Sequence, residues 1–231
     1  MRNLTKSFGA YKAVDHISLT IKKGSIFGFL GPNGAGKTTT MKMLVGLAHV
    51  TKGTVRIEGK DPAEHATRER IGFMPESPYF YDHLTGHEFL AFCGDLFHTK
   101  RNTDNDYLDI LKKVGIFEAR NYMIKNYSKG MKQRLAFAQA LVNDPDYIFL
   151  DEPLDGLDPI GRRELKKIIT SLNREGATIF FNSHILFDTE ELCDEIGILH
   201  RGALLYAGPI RDFTKGRSLE ERFVASIEQL S

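Results

Sequence analysis

The sequence predicts an α/β fold: a core on a mixed, largely parallel sheet, an N-terminal antiparallel β subdomain and an inserted α-helical subdomain. Three observations predict it. Short apolar runs alternate with helical patterns at both ends of the chain. A glycine-rich loop lies between one such run and a helix. From about Thr85 to Val142 the strand pattern gives way to apolar residues at helical spacing. A chain of 231 residues can bury a core without disulfide or metal support.

The elements follow in order. Residues Leu4 to Glu58 are strand-rich. Val14 to Ile21 alternates apolar and polar residues, as a half-buried antiparallel strand does. Ser25 to Leu30 is a short buried strand, and Thr39 to Ala48 a helix with Met41, Leu44, Val45 and Ala48 on one face. Gly53 to Glu58 and Ile71 to Met74 are further strands, the second closed by Pro75. In the helical stretch, Phe89, Phe92, Cys93 and Leu96 form one face, and Leu108, Leu111 and Val114 another. Strands return at Tyr147–Leu150, Thr178–Phe181 and Ile196–Leu199. A helix spans about Ile160 to Asn173, and an amphipathic helix from Ser218 to Leu230 closes the chain.

The loop after the second strand reads Gly31-Pro32-Asn33-Gly34-Ala35-Gly36-Lys37-Thr38. Glycine, four residues, then Gly-Lys-Thr is the P-loop spacing, so the core is that of a P-loop NTPase. Its glycines let backbone N–H groups turn inward on a polyphosphate. Lys37 supplies a point charge for the β- and γ-phosphates, and the Thr38 hydroxyl is placed to ligate Mg²⁺. Thr39 continues the phosphate-facing first turn of the helix.

A second stretch, Asp146-Tyr147-Ile148-Phe149-Leu150-Asp151-Glu152-Pro153, is an apolar strand ending in two acids. In a P-loop fold the carboxylate ending a neighbouring strand holds the Mg²⁺ shell, which assigns Asp151. Glu152 then faces the space beyond the γ-phosphate, where a water must be oriented for in-line attack. The competing reading is that both acids merely open a loop.

Tyr127-Ser128-Lys129-Gly130-Met131-Lys132-Gln133-Arg134-Leu135 precedes a helix running to about Val142. It resembles the ABC signature, usually Leu-Ser-Gly-Gly-Gln followed by a Gln-Arg pair. Together with the P-loop, the Asp151-Glu152 strand end, Leu154-Asp155-Gly156-Leu157-Asp158 and His184, it makes the chain resemble the ATP-binding subunit of an ABC transporter over nearly its whole length. The resemblance implies a single ABC ATPase domain: residues 1–75 and 143–231 as the nucleotide-binding core with its β subdomain, and 76–142 as the helical insert. It implies ATP and Mg²⁺ as cofactors and a homodimer or pseudo-dimer that sandwiches two nucleotides head to tail. Ser128 and Gly130 would contact the γ-phosphate held by the opposite P-loop. As a bare sequence feature Ser128 is also a good helix N-cap, and both roles are compatible.

Further roles follow from the same resemblance. Glu76 stands where glutamine is usual and would touch Mg²⁺ and the attacking water; this variant is associated with exporters. Phe8, with Tyr11 in reserve, would stack on adenine, or else sit in the core. His184 would hydrogen-bond the γ-phosphate. Asp158 would lie in the loop at the dimer interface, or cap the next helix ahead of Pro159. Lys129 and Met131 depart from the usual signature, and Lys129 either adds a cation near phosphate or faces solvent. The aromatic run Tyr79-Phe80-Tyr81 beside Glu76 either docks a membrane partner or packs inward. The chain has few residues before Asn3-Leu4-Thr5, which puts the pairing of a first strand in question.

Composition narrows the function. A net charge of +1 favours neither nucleic acid nor an anionic membrane. Cys93 and Cys193 are widely separated and read as reduced thiols of an intracellular protein. No apolar run reaches the length of a membrane span, so membrane work would need a separate transmembrane permease subunit. The remaining histidines (His16, His49, His65, His83, His87, His98, His200) show no ligand spacing, and Arg68, Arg70 and Lys100-Arg101 read as solvated. The expectation is an ATPase that dimerises on MgATP and drives a membrane permease, in export, from the cytoplasmic face of the membrane. The alternatives are a soluble ABC-type ATPase with a non-transport output and a nucleotide-dependent regulatory module.

Overall fold

The computed structural model describes residues 1–97 and 103–228, in two compact units: residues 1–67 with 180–231, and residues 68–179. The expectations for His98 and Lys100-Arg101, and for the end of the last helix, lie outside the described residues.

The first unit opens with β1 (Arg2–Phe8) and β2 (Tyr11–Ile17), an antiparallel hairpin in which Phe8 pairs with Tyr11. Gly9, at φ 59°, makes the turn. The strand expected at Val14–Ile21 thus begins and ends earlier. The hairpin turn sets its start, and His16 at φ 53° breaks the extended path near its end. β3 (Ile26–Leu30) leads into α1 (Lys37–Leu44). The helix stops four residues short of Ala48. Gly46 at φ 73° closes it, with Leu47 N–H donating to the Lys42 carbonyl and Gly46 N–H to that of Met43, a Schellman ending. β4 (Lys52–Thr54) pairs with β1, so β1 is the central strand of an antiparallel sheet ordered β2-β1-β4. The strand expected at Gly53–Glu58 is cut short because Glu58 and Gly59, both at positive φ, form a tight turn between Ile57 and Lys60. α2 (His65–Arg68) is a single turn.

The second unit begins with β5 (Ile71–Met74), followed by α3 (Gly86–Gly94), α4 (Asp104–Lys113), α5 (Lys129–Gln139), β6 (Tyr147–Asp151) and α6 (Pro159–Arg174). β5 and β6 pair in parallel, Ile71 opposite Tyr147. Capping boxes start α3 (Thr85 with Glu88) and α4 (Thr103 with Asp106). The buried face of α3 is Phe89, Leu90 and Cys93, while Phe92 and Leu96 are exposed. The expected stripe was therefore rotated by part of a turn. On α4 the buried line is Tyr107, Leu111 and Val114, with Leu108 only half-buried. α5 ends at Gln139, one turn before Val142.

β7 (Thr178–Asn182) returns the chain to the first unit, where Phe180 stacks on Phe27 of β3 with ring centroids 5.7 Å apart. There α7 (Leu186–Leu192), β8 (Glu195–His200), β9 (Ala203–Pro209), α8 (Ile210–Thr214) and α9 (Leu219–Glu228) complete the fold. β8 runs parallel to β3, Gly28 opposite Ile196, and β9 folds back antiparallel on β8. β9 was not anticipated. Its one signal is Arg201-Gly202, a tight turn with both residues at positive φ.

Candidate functional site: a phosphate loop and a signature helix

In the first unit, β3 anchors the loop through Phe27, Phe29 and Leu30, all almost fully buried. Gly31 and Gly36 are demanded by space: a Cβ on Gly31 would overlap the Leu199 carbonyl oxygen, and one on Gly36 that of Ala13. Gly34 and Gly36 also sit at φ 77° and 106°, where other residues are strained. The loop is braced from behind by the β8–β9 turn, since Gly202 N–H donates to the Ala35 carbonyl (3.0 Å) and Asp15 N–H to that of Gly202 (2.8 Å). Ala13, Leu199 and Gly202 were not singled out in the sequence, because support of this kind comes from residues distant along the chain.

α1 starts at Gly36 with no side-chain cap. A helix start without a side-chain cap is one that an anion suits well. Lys37 is buried and donates to the carbonyls of Gly31 (2.7 Å) and Pro32 (3.3 Å), so its ammonium lies along the loop. Thr38 and Thr39 are half-buried beside it, and Asn33 is exposed at the tip. Phe8 is 56% exposed, with the Lys6 ammonium 4.9 Å from its ring centroid, so it is not a core residue; Tyr11 is exposed as well. His184 follows β7 at the surface, after the buried Ser183, whose hydroxyl accepts from Ile185 N–H at 3.0 Å.

In the second unit, every residue of β6 is buried, and the strand delivers Asp151, 1% exposed, at its carboxyl end. Glu152 adopts φ 53°, a left-handed conformation that costs a non-glycine residue roughly 1–3 kcal/mol and is typical of functional positions. Gln133, reaching from α5, donates to the carbonyls of Glu152 (2.9 Å) and Pro153 (3.0 Å). Sequence reading placed Gln133 only as part of a motif.

Ser128 is the N-cap of α5, its hydroxyl accepting from Met131 N–H at 3.2 Å. Ser128 is exposed and Gly130 half-buried at the same helix end. Lys129 faces solvent, one of the two expectations, and its ammonium is ion-paired there with Asp155 at 2.8 Å. Asp158 caps α6, accepting from Gly161 N–H at 2.6 Å, with Pro159 in the first turn. Glu76 is exposed just after β5. Beyond it Tyr79 and Tyr81 point to solvent, Tyr79 being 84% exposed, while Phe80 turns in against Phe89. Arg70, expected to be solvated, pairs with Asp146 at 2.6 Å.

Burial pushes the Cys93 thiol up to about 11, and pushes that of Cys193 well above its ordinary value, so both are inert near neutral pH. Among the described residues no group of three His, Cys, Asp or Glu side chains could hold a metal by itself. No helix among them is long and apolar enough to cross a membrane.

Comparison with known proteins gives a consistent result. The family described as "ABC transporter" matches residues 14–155. The chain is 47% identical over 199 residues to an uncharacterized ABC transporter ATP-binding protein of Synechocystis, covering 85% of this chain and 56% of that one. It is 42% identical over 218 residues to the bacitracin transport ATP-binding protein BcrA of Bacillus licheniformis (92% and 70%). It is 37% identical over 223 residues to the lantibiotic transport ATP-binding protein SrtF of Streptococcus pyogenes (96% and 94%). The chain thus spans little more than half the length of the Synechocystis relative. Among solved structures, an ATP-binding subunit of an ABC transporter superposes with a TM-score of 0.89 at 27% identity, covering 98% of each chain. A dimeric bacterial ABC transporter cassette superposes with a TM-score of 0.84 at 25% identity, covering 91% of this chain and 97% of that one.

Proposed function

The chain belongs to the ABC transporter family, and from that premise we propose that it binds and hydrolyses ATP with Mg²⁺ as one half of a cassette dimer. The observation that carries the reading is the uncapped start of α1 beneath the Gly34–Gly36 turn, with the Lys37 ammonium buried along the loop. Backbone donors, helix dipole and lysine converge there on one ligand chemistry, a polyphosphate. Gly31, Pro32, Asn33, Gly34, Ala35 and Gly36 shape the cradle. Lys37 neutralises charge on the terminal phosphates, and Thr38 and Thr39 continue the donor row. Phe8, exposed and free of the core, offers the ring for adenine.

The donor set fits Mg²⁺, which prefers hard oxygens and is usually held by one or two carboxylates together with substrate phosphates. The Thr38 hydroxyl and the buried Asp151 carboxylate would hold it, with Glu76 contributing. When bound, it would neutralise charge between the β- and γ-phosphates. Glu152 orients the attacking water and accepts its proton; its fixed left-handed backbone aims the side chain without a search. His184 donates a hydrogen bond to the γ-phosphate and registers its loss. Ser128 and Gly130 present the start of α5 to the triphosphate of the second cassette.

The output we propose is closure and opening of the cassette pair, driving a separate transmembrane permease in export, with the chain peripheral at the cytoplasmic face. The bacitracin and lantibiotic transport relatives support a transport role. So do the outward-facing Tyr79 and Tyr81 beside Glu76, which suit an interface. The first test is MgATP affinity of Lys37→Ala, for which a loss of tenfold or more is expected, since a charge-assisted contact is worth about 1.5–3 kcal/mol. Unchanged affinity would remove the phosphate-loop assignment and the proposal with it.

A further inference from the structure

Gln133 and Lys129 lie four residues apart on α5, so they project from one face of the helix, one turn apart. Both reach the segment that follows β6. Gln133 is 6% exposed, and its amide donates at 2.9 Å to the carbonyl of Glu152 and at 3.0 Å to that of Pro153. Lys129 spans the next part of the segment. Its stem passes so close to Gly156, at φ 70°, that a Cβ there would overlap it, and its ammonium meets Asp155 at 2.8 Å. Asp155 N–H in turn donates to the Glu152 carbonyl at 3.2 Å. The backbone from Glu152 to Gly156 is thus held at both ends by one helix, and its first residue is a non-glycine in the left-handed region.

We infer that Gln133 and Lys129 are positioning residues, a two-point clamp that makes the Glu152 segment and the start of α5 move as one body. The inference rests on the proposed role of Glu152 and deepens it. A glutamine amide sharing its donors between two carbonyls favours this path of the strained residue over a relaxed extended one. The two points differ in strength. The Gln133 bonds are buried and insensitive to salt. The Lys129–Asp155 pair has side chains 71% and 49% exposed, so solvent and ions screen it. Ser128, at the same end of α5, is the residue proposed to meet the partner's triphosphate. Contact there would accordingly be transmitted to the carboxylate that orients water, without a chain of intermediates. The lysine in place of the usual signature glycine has a function on this view: it ties the helix start to the segment it governs.

The test uses the purified full chain. Gln133→Met keeps the length and removes the donors. Its expected signature is a kcat about ten- to a hundredfold lower, with the KM for MgATP changed less than about threefold, the split produced by a misplaced catalytic group. Amide hydrogen exchange over residues 152–156 should accelerate in the same variant, a readout that needs no turnover. Lys129→Glu should give a milder kcat loss that Asp155→Lys reverses in the double variant, whereas a lysine acting directly on phosphate would not be replaced from position 155. Glu152→Gln is the control for the underlying reading: if it hydrolyses ATP normally, the role of Glu152 fails. If Glu152→Gln is inactive while Gln133→Met keeps wild-type kcat, or if exchange at 152–156 is unchanged, the clamp alone is overturned.

Discussion

Gly34 and Gly36 lie two residues apart in the phosphate loop, and alanine at each should have different consequences. At Gly34, φ is 77° and a Cβ would meet nothing within 4 Å. The cost is that of a left-handed backbone alone, roughly 1–2 kcal/mol. At Gly36, φ is 106° and the Cβ would overlap the backbone oxygen of Ala13, which belongs to β2 and cannot swing aside as a side chain can. Forced overlap of this kind adds about 1–3 kcal/mol. Stiffening of the unfolded chain offsets each substitution by about 0.4–1 kcal/mol and cancels in the comparison. For a chain of this length each kcal/mol moves the melting temperature by about 2–4 °C. Gly36→Ala should therefore melt about 4–8 °C below Gly34→Ala, taking about 2 kcal/mol for the overlap. The assay is thermal unfolding of both variants without nucleotide, followed by the shift that MgATP produces in each. MgATP should raise the melting temperature of Gly34→Ala but not that of Gly36→Ala, whose loop has had to move. If both variants melt within about 1 °C of each other, the steric argument for the brace by β2 is wrong.

Four other outcomes are expected. Glu152→Gln should lower steady-state hydrolysis by about a hundredfold or more while ATP still binds, and size-exclusion chromatography in MgATP should then show a long-lived dimer; an active variant would refute the water-orienting role. Ser128→Arg should prevent that dimer while leaving nucleotide affinity of the single chain within about threefold of wild type, since the residue is proposed to act on the partner's ligand. Asp158→Ala removes the cap of α6 and should lower stability by about 1 kcal/mol, read as a shift in urea midpoint at constant slope. Cys93 gives a pH dependence. Its thiol is raised in the folded chain from 9.0 to about 11, so the native state holds the proton after the unfolded state has lost it. Its stabilising contribution is complete below pH 9 and is lost as pH rises from 9 towards about 11. Cys93→Ala should flatten that part of the stability profile, and native Cys93 should resist thiol reagents at pH 8 until the chain unfolds.

The chemistry we propose for the site was legible because it is local. Gly31 to Thr39, Asp151-Glu152 and Ser128 to Gly130 are contiguous runs in which a P-loop spacing, a strand-end acid pair and a helix N-cap can be read directly. Strand and helix identity was legible for the same reason: periodicity is a property of neighbours in sequence. Ile71–Met74 forms the strand expected there, and the helix from Asp158 onward has the cap and proline that announce it. Boundaries were less legible. β2, β4 and α1 end where His16, Glu58 and Gly46 take positive φ, and only at Gly46 does the residue type advertise it.

Sequence by itself determined which groups we propose to touch a triphosphate, because those groups are carried on short, continuous segments. Only the tertiary structure decided what holds them. Ala13 and Leu199 on distant strands and Gly202 in the β8–β9 turn set the shape of the phosphate loop, and Gln133 and Lys129 hold the Glu152 segment from a helix. Side-chain pairing also gave the solvent-facing Lys129 a partner, Asp155, that the sequence does not name. The reason is physical: a hydrogen bond or steric stop between residues far apart in the chain exists only after the chain has folded, and it leaves no periodic trace in the order of residues.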